Sequence, residues 1–152
     1  MKSSLLDLIR SELRASFGRL SSAAMEAHAA ATDPGSKAES KYDTRNLEAS
    51  YLATGQARQV EELAEAIRIF ETMTPPKFVG DDPIDAGALV EVRMSGEAQS
   101  FLLAPAAGGL EVKHQGMEIT VLTPASALYQ KLLGLRVGDS LEHPALTVMR
   151  VA

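Results

Sequence analysis

Two apolar seams in the first half of the chain constrain its fold more than any other feature. In each, residues suited to a helix interface recur at alternating spacings of three and four, which is typical of coiled coils. The first seam contains Leu6, Ile9, Leu13, Ser16, Leu20, Ala23, Ala27 and Ala30, and the second contains Ala49, Ala53, Gln56, Val60, Leu63, Ile67 and Phe70. Antiparallel pairs across the seams, such as Leu13 with Ile67, share a midpoint near residue 40. We therefore predict an antiparallel helical hairpin over residues 1–74, with its tip at residues 33–44.

The predicted tip is rich in acidic residues. Ser36 and Glu39 fit a capping box at the start of a helix. Glu39 and Asp43 then lie four residues apart on one helix face, so that two carboxylates point the same way. Paired carboxylates on an exposed tip can help to hold a hard divalent cation such as Mg²⁺ when other ligands come from elsewhere. Taken alone, the pattern is more often a solvated helix start.

The composition disfavours several classes of function. The chain contains no cysteine, which excludes disulfides and thiolate metal sites. A formal net charge of -5 disfavours direct, sequence-specific binding to DNA. The three histidines are scattered and form no spacing typical of a zinc site, so we expect no metal site in the isolated chain.

The distribution of apolar residues bears on the location of the protein. No run approaches the ~20 apolar residues that a membrane span needs. Asp7 interrupts the N-terminal run too early for a signal peptide. We therefore expect a cytoplasmic protein that makes no membrane contact.

The second half of the chain differs abruptly from the first. Prolines and turn formers in residues 75–86 predict a linker. The predicted strands after it cover residues 88–94, 100–103, 110–113, 118–122 and 147–151. Gln115-Gly116 is a turn signal between two of them, and residues 125–133 form an amphipathic helix. We predict an α+β fold in which residues 87–152 form an antiparallel sheet packed on one helix.

One run in this second half has a specific order of elements. A strand stops at Thr123-Pro124, a short helix containing Leu132-Leu133 ends at Gly134, and Val137-Gly138-Asp139 opens another strand. This order resembles the C-terminal domain of the bacterial Gre transcript-cleavage factors. The resemblance implies an FKBP-like fold and docking on core RNA polymerase at its secondary channel. The residues that it assigns to docking are Thr123, Pro124, Ser126, Gly134, Gly138 and Asp139.

The predicted tip is similar to the same family. The run from Ala38 to Arg45, followed by Glu48-Ala49-Ser50-Tyr51 and by Gln56, resembles the Gre tip and its ascending helix. In that family, tip acids enter the secondary channel and help the polymerase to bind a catalytic Mg²⁺, which promotes cleavage of backtracked RNA. Two alignments are open, one with Asp43 as the leading acid and one with Glu39 as the first glutamate.

The tip resemblance implies a set of roles. It assigns catalytic contributions to Asp43 and Glu39, secondary ones to Glu48 and Asp33, and tip contacts to Tyr42, Lys41 and Arg45. It also implies that the protein is no enzyme by itself, binds no cofactor alone, shares Mg²⁺ with the polymerase, and meets the nascent RNA only indirectly.

Two other functions are compatible with the predicted fold. A coiled-coil adaptor or dimerisation protein would use the hairpin alone, without any effect on transcript cleavage. The outer hairpin face argues against it, because that face carries Arg10, Glu12, Arg14, Arg19, Glu61, Glu62, Glu65 and Arg68. A prolyl isomerase would need a site lined with aromatic residues, and only Phe78, Phe101 and Tyr129 are available. Since fold does not imply function, the resemblance to an isomerase fold carries little weight.

Overall fold

The computed structural model describes residues 2–32 and 45–152. For residue 24 and for residues 27–32 and 45–54 it describes the helical backbone without the side chains. The predicted capping box and turn, which fall in residues 33–44, lie outside the described residues.

Two long helices make up the first half of the chain. Helix α1 spans Lys2–Thr32 and helix α2 spans Arg45–Thr72. Neither contains proline, and both are rich in alanine, leucine, glutamate and arginine, which favour helix. Together they form the N-terminal helical hairpin, so the predicted fold of this region is confirmed.

The burial of the hairpin follows the predicted seams. Leu13 is buried, and the described seam residues beyond it are half-buried: Ser16, Leu20, Ala23, Gln56, Val60, Leu63 and Ile67. The charged residues of the opposite face, such as Arg14, Glu61 and Glu62, are exposed. Gln56 is the polar exception in the second seam, and its Oε1 is buried without a hydrogen-bond partner among the residues that the structure describes.

A six-stranded sheet and one short helix follow the hairpin. The strands are β1 (Leu89–Met94), β2 (Glu97–Leu103), β3 (Glu111–His114), β4 (Met117–Leu122), β5 (Ser140–Glu142) and β6 (Ala145–Val151), with helix α3 (Ala127–Leu132) between β4 and β5. The predicted α+β class is confirmed. Strand β5 begins directly after Val137-Gly138-Asp139, where another strand was predicted to open, although its bounds were not predicted because it is only three residues long and polar at both ends.

The sheet is mixed, and this corrects the prediction of an antiparallel sheet. Its strand order is β3-β4-β2-β1-β6-β5. All neighbouring pairs are antiparallel except β2 and β4, whose parallel register pairs Ser100 with Ile119 and Leu103 with Leu122. The connection 104–110 is too long for a tight hairpin, so β3 lies at the sheet edge and β4 inserts between β3 and β2.

Two of the three antiparallel hairpins of the sheet are closed by turns of the same type. Ser95-Gly96 joins β1 to β2, and Gln115-Gly116 joins β3 to β4. All four residues have positive φ, between 51° and 79°. This is the backbone conformation of the type I′ turns that match the strand twist, and it explains why glycine occupies the second position.

One face of the sheet packs against α3. Its buried cluster alternates along β1 and β2 through Val90, Val92, Phe101 and Leu103, as the two-residue period of a strand requires. Helix α3 contributes Tyr129 and Leu132, and the remaining members are Ile84, Ala88, Leu122, Leu146, Val148 and Val151. This cluster is the core of the C-terminal region.

The other face of the sheet meets the start of α1. Leu102, Ile119 and Val121 on this face are fully buried, and so are Leu5 and Ile9 on the first turns of α1. A hydrogen bond joins Ser4 Oγ of α1 to Nε2 of His114 at the end of β3, at 2.9 Å. The base of the first helix therefore belongs to the sheet's core.

The contacts divide the chain into two compact units. The sheet unit comprises Met1–Ile9 with Ile69–Ala152, and the arm unit comprises Arg10–Arg68. The sheet unit thus includes the N-terminal turns of α1 and the C-terminal residues of α2.

Candidate functional site

The candidate tip residues fall largely outside the described part of the chain. Asp33, Glu39, Lys41, Tyr42 and Asp43 lie in residues 33–44, which the structure does not describe. Arg45 and Glu48 lie on α2, and their side chains are likewise outside the description. The assignments to this tip stay predictions.

The candidate docking residues Thr123, Pro124 and Ser126 form the entry to α3. The carbonyl of Thr123 accepts a hydrogen bond from the backbone N–H of Ser126 at 2.8 Å, which turns the chain out of β4. Ser126 is the N-cap of α3, and its side chain accepts from the N–H of Tyr129. The exposed Pro124 contributes its carbonyl, which accepts from Nε2 of Gln130 at 2.9 Å.

A glycine makes room for this entry loop. A Cβ at Gly108 would come within 2.9 Å of Oγ1 of Thr123, which is closer than real side chains approach. Thr123 therefore packs against the backbone of the connection between β2 and β3. The close approach of Gly108 to Thr123 brings together residues 15 positions apart in the sequence.

Gly134 ends α3 and connects it to the segment before β1. Its φ of +83° lies in the left-handed region that glycine favours at helix ends. Its N–H donates to the carbonyl of Ile84 at 2.8 Å, and the N–H of Ile84 donates to the carbonyl of Leu135 at 2.8 Å. The predicted linker region thus pairs with the exit of α3.

Gly138 and Asp139 form the turn before β5. Gly138, with φ of +93°, donates its N–H to the carbonyl of Val148 at 2.9 Å. The carboxylate of Asp139 accepts the N–H of Arg136 at 2.8 Å, and the N–H of Asp139 donates to the carbonyl of Arg136 at 2.9 Å. Asp139 therefore has a structural role, because its side chain and backbone both close the turn.

The six candidate docking residues divide into two groups. Thr123, Pro124 and Ser126 lie at the start of α3, and Gly134, Gly138 and Asp139 lie beyond its end. At ~1.5 Å per residue, a helix of this length separates them by roughly 9 Å. Among these six, Pro124 is the side chain whose exposure and lack of structural bonds suit a direct test of docking.

The sequence reasoning missed the exposed apolar side chains around the exit of α3. Leu133, Val137, Met149 and Val79 are between 36% and 70% exposed. Arg136 connects this region to the segment before β1, because its Nη1 donates to the carbonyl of Asp81 at 2.6 Å. Val137 and Met149 belong to neighbouring segments, since the N–H of Gly138 bonds to Val148. These residues are plain apolar positions in the sequence, and their exposure could not be read from it.

Two groups in the sheet unit have altered acidities. The pKa of Lys2 is lowered by partial burial, although its ammonium donates to the carbonyls of Pro76 at 2.8 Å and Gly87 at 2.9 Å. The same ammonium lies 4.9 Å from the centre of the Phe78 ring. The pKa of Tyr129 is raised, first by burial of the phenol and then by the negative charge of Asp85.

Neither a metal centre nor a membrane span stands out in the described residues. Among them, no three His, Asp or Glu residues lie close enough together to hold a metal ion. No helix within the described ranges is both long and apolar enough to cross a membrane.

Comparison with known proteins found similar structures but no matching family. No protein-family model matches the chain, and no curated protein matches it. The similar solved structures include GreA factor homolog 1 (Gfh1) of Thermus thermophilus, at 24% sequence identity and a TM-score of 0.37, covering 94% of each chain.

Two further solved structures show the same level of similarity. Gfh1 of Thermus aquaticus has 19% identity and a TM-score of 0.36, covering 93% of this chain and 92% of that one. A structure of the transcription factor Gfh1 has 24% identity and a TM-score of 0.37, again covering 93% and 92%. This degree of superposition carries no weight for function, which has to be argued from the residues of this chain.

Proposed function

We propose that this chain is a Gre-type accessory factor of bacterial RNA polymerase that acts in the cytoplasm. The sheet unit corresponds to the Gre C-terminal domain with its FKBP-like fold and docks at the rim of the secondary channel. The hairpin inserts its acidic tip into the channel and modulates backtracked complexes or transcript cleavage.

The observation that carries this proposal is the arrangement of elements around two sequence motifs. Helices Lys2–Thr32 and Arg45–Thr72 bracket the tip motif, so the acidic run joins two long helices. The β4–α3–β5 segment then follows the order strand, Thr-Pro, short helix, Gly134, Gly-Asp turn and strand. The second motif therefore lies in the types of element that the resemblance requires, and the first lies between two long helices in the sequence.

The proposed role of the tip is to supply carboxylates to the active centre of the polymerase. Mg²⁺ prefers six oxygen ligands, so Asp43 and Glu39 cannot complete a site alone, and Glu48 and Asp33 would add at most weaker contacts. Cleavage therefore belongs to the polymerase, which holds the shared Mg²⁺ and the nascent RNA. Tyr42, Lys41 and Arg45 are proposed to contact the channel walls.

The exposed face of the arm unit favours this proposal over a coiled-coil adaptor. An adaptor helix needs an apolar outer face, but Glu12, Arg14 and Arg19 on α1 are exposed. The same holds on α2 for Glu61, Glu62, Glu65 and Arg68. Glu65 and Arg68 also form an ion pair one turn apart, as expected for a solvated helix.

The first test is binding of the full chain to core RNA polymerase, with Pro124→Ala as the variant. Pro124 is exposed, so its loss should weaken binding with little effect on folding. Pro105→Ala removes another exposed proline, after β2, and serves as the matched control. If both variants bind as the parent chain does, the entry to α3 is not the docking surface.

The second test uses stalled, backtracked polymerase complexes and measures the rate of transcript cleavage. The double variant Asp43→Ala/Glu39→Ala should bind polymerase normally and lose the effect of the parent chain on cleavage. The control Glu61→Ala/Glu62→Ala removes two exposed acids from α2 away from the tip. An unaltered effect in the tip variant would show that the factor acts by occupying the channel, without its carboxylates.

A further inference from the structure

The sheet ends on one side at β3, whose outer edge can pair with a further strand. In the strand order β3 is the terminal member, and it pairs with β4 on its inner side. The outer edge of such a strand presents a row of backbone N–H and C=O groups, which is a template for another strand. Which groups point outward, and which side chains accompany them, decides what kind of strand fits there.

The hairpin turn fixes which backbone groups of β3 point toward β4. Gln115-Gly116 is a two-residue turn, so the residues that flank it, His114 and Met117, form a hydrogen-bonded pair. Hydrogen-bonded and non-hydrogen-bonded pairs alternate along an antiparallel ladder. Val112, two residues before His114, therefore also bonds to β4.

A contact beyond the strand confirms this alternation. The N–H of Val121 on β4 donates to the carbonyl of Leu110 at 2.8 Å, so the residue two positions before Val112 points inward as well. The remaining residues of β3, Glu111 and Lys113, occupy the non-hydrogen-bonded positions. Their N–H and C=O groups are directed to the outer edge.

The side chains at these two outward positions carry opposite charges. Glu111 and Lys113 are both exposed, and they lie two residues apart, on the same face of the sheet. A single charge on an edge strand normally opposes pairing with another strand. A glutamate and a lysine placed symmetrically about Val112 have a different effect, because this pattern is complementary to itself when the second strand runs antiparallel.

The charges select one register for such a pairing. With Val112 at the centre, Glu111 lies opposite Lys113 of a second copy, and Lys113 lies opposite its Glu111. Opposite charges in directly facing positions stabilise strand pairing. Both facing pairs also consist of outward-directed residues, so each pair can exchange its backbone hydrogen bonds.

The neighbouring registers lack this agreement. A pairing centred on Glu111 or on Lys113 places like charges directly opposite each other, which is destabilising. A shift by a single residue sets outward-directed backbone groups against inward-directed ones, so the ladder cannot form. Backbone direction and charge therefore favour the same register, the one centred on Val112.

We infer that the outer edge of β3 is a self-association surface, which joins two copies of this chain through antiparallel pairing of their β3 strands. The contact is isologous, because the same residues contribute on both sides of a two-fold axis. A strand of four residues forms a small interface, so the dimer is weak and depends on protein concentration. This inference does not depend on the proposed binding to polymerase.

Sedimentation equilibrium of the full chain, at concentrations up to about 1 mM, tests the inference. The parent chain should form a reversible dimer. Glu111→Lys and Lys113→Glu should each weaken dimerisation about tenfold, because each places like charges opposite each other. The two changes move the net charge in opposite directions, so weakening by both is not an effect of net charge. A monomeric parent chain, or opposite responses of the two variants, would overturn the inference.

Charge exchange gives the sharpest control. The double variant Glu111→Lys/Lys113→Glu restores opposite charges in the same register and should dimerise as the parent chain does. An equimolar mixture of the two single variants should form a mixed dimer more tightly than either variant associates alone. Glu142→Lys reverses an exposed charge on β5, at the other edge of the sheet, and should leave dimerisation unchanged. A mixture that associates no better than its components would rule out this register.

Amide hydrogen exchange of the parent chain supplies a test that needs no variant. The N–H groups of Glu111 and Lys113 should exchange more slowly at high protein concentration, because the second copy accepts their hydrogen bonds. The N–H of Val112, which bonds to β4 in monomer and dimer alike, is the internal reference. Equal exchange of Glu111 and Lys113 at low and high concentration would contradict pairing through β3, even if the charge variants failed to fold.

Discussion

The arm unit and the sheet unit bury their apolar residues in different ways. In the described arm, Leu13 and Ala66 are buried while Leu20, Val60 and Leu63 are only half-buried. The sheet unit instead has two buried faces, one against α3 and one against the start of α1. In a two-helix seam, a side chain is covered only by the facing helix. In a sheet that is covered on both faces, a side chain is enclosed by the layer that packs on it. The same substitution should therefore have different consequences in the two units.

Replacing a leucine by alanine should give the largest contrast. Leu132→Ala on α3 removes a side chain that is 0% exposed, and should lower the free energy of unfolding by about 2–5 kcal/mol. Leu63→Ala in the arm, where the side chain is half-buried, should cost about 1 kcal/mol. Denaturant unfolding followed by circular dichroism measures both. Equal losses would mean that the arm seam is enclosed as tightly as the sheet core.

Glycine substitutions in the sheet unit should come next in size. Gly87 has φ of +88°, and a Cβ there would lie 2.6 Å from Cδ of Pro76. Gly87→Ala should therefore destabilise the protein by about 1–3 kcal/mol through strain and overlap. Gly80→Ala is the matched control, because Gly80 also has positive φ but has open space around it. A loss at Gly80 as large as that at Gly87 would show that the contact with Pro76 adds nothing.

The sheet core should also make stability sensitive to alkaline pH. Burial and Asp85 raise the pKa of Tyr129 above its ordinary value of 10.0. The folded protein therefore retains the phenol proton at a pH where the unfolded chain has lost it. The protonated phenol of Tyr129 stabilises the folded state in full below pH 10.0, and this stabilisation is lost as pH rises through the pKa of Tyr129 in the folded protein.

Tyrosinate absorbance and denaturant unfolding as functions of pH measure this effect. Tyr129→Phe should make the loss of stability at alkaline pH smaller by the amount that Tyr129 contributes. Asp85→Asn should lower the pKa of Tyr129 while leaving the effect of burial. An unchanged alkaline profile in Tyr129→Phe would assign the pH dependence to other groups.

The smallest predicted effect has the opposite sign and belongs to the arm. Gly18 lies inside α1, is exposed, and has open space where a Cβ would be. Gly18→Ala should stabilise the protein by about 0.5–1 kcal/mol, because alanine loses less backbone freedom than glycine in a helix. Thermal unfolding of Gly18→Ala and of Gly87→Ala compares the same glycine-to-alanine change in the arm unit and in the sheet unit. A destabilised Gly18→Ala would indicate a contact at this position that the described residues do not account for.

The strongest predictions from sequence concern features that repeat locally. The three- and four-residue spacing through Leu13, Leu20 and Val60 predicted two helices and the face on which they meet. The turn at Gln115-Gly116 and the helix ending at Gly134 were predicted from backbone preferences of single residues. Each of these signals lies within a few consecutive residues. It can therefore be read from the sequence without knowing which distant residues the segment will contact.

The features that the sequence did not predict all depend on contacts between residues that are far apart in the sequence. The parallel neighbours β2 and β4 were not predicted, because strand order is decided by long connections and shared burial. The roles of the candidate docking residues were equally hidden: Gly134 bonds to Ile84, and Thr123 packs against Gly108.

What the sequence alone determined is the periodic hairpin and the α+β division of the chain. What only the tertiary structure decided is where side chains from separate segments meet. The first turns of α1 complete the sheet core through Ser4 and His114, more than a hundred residues apart. The parallel pairing of β2 and β4 places Ser100 beside Ile119, although β3 lies between the two strands in the sequence. Local periodicity encodes helices and strands, whereas such sites arise from packing, which places distant residues side by side.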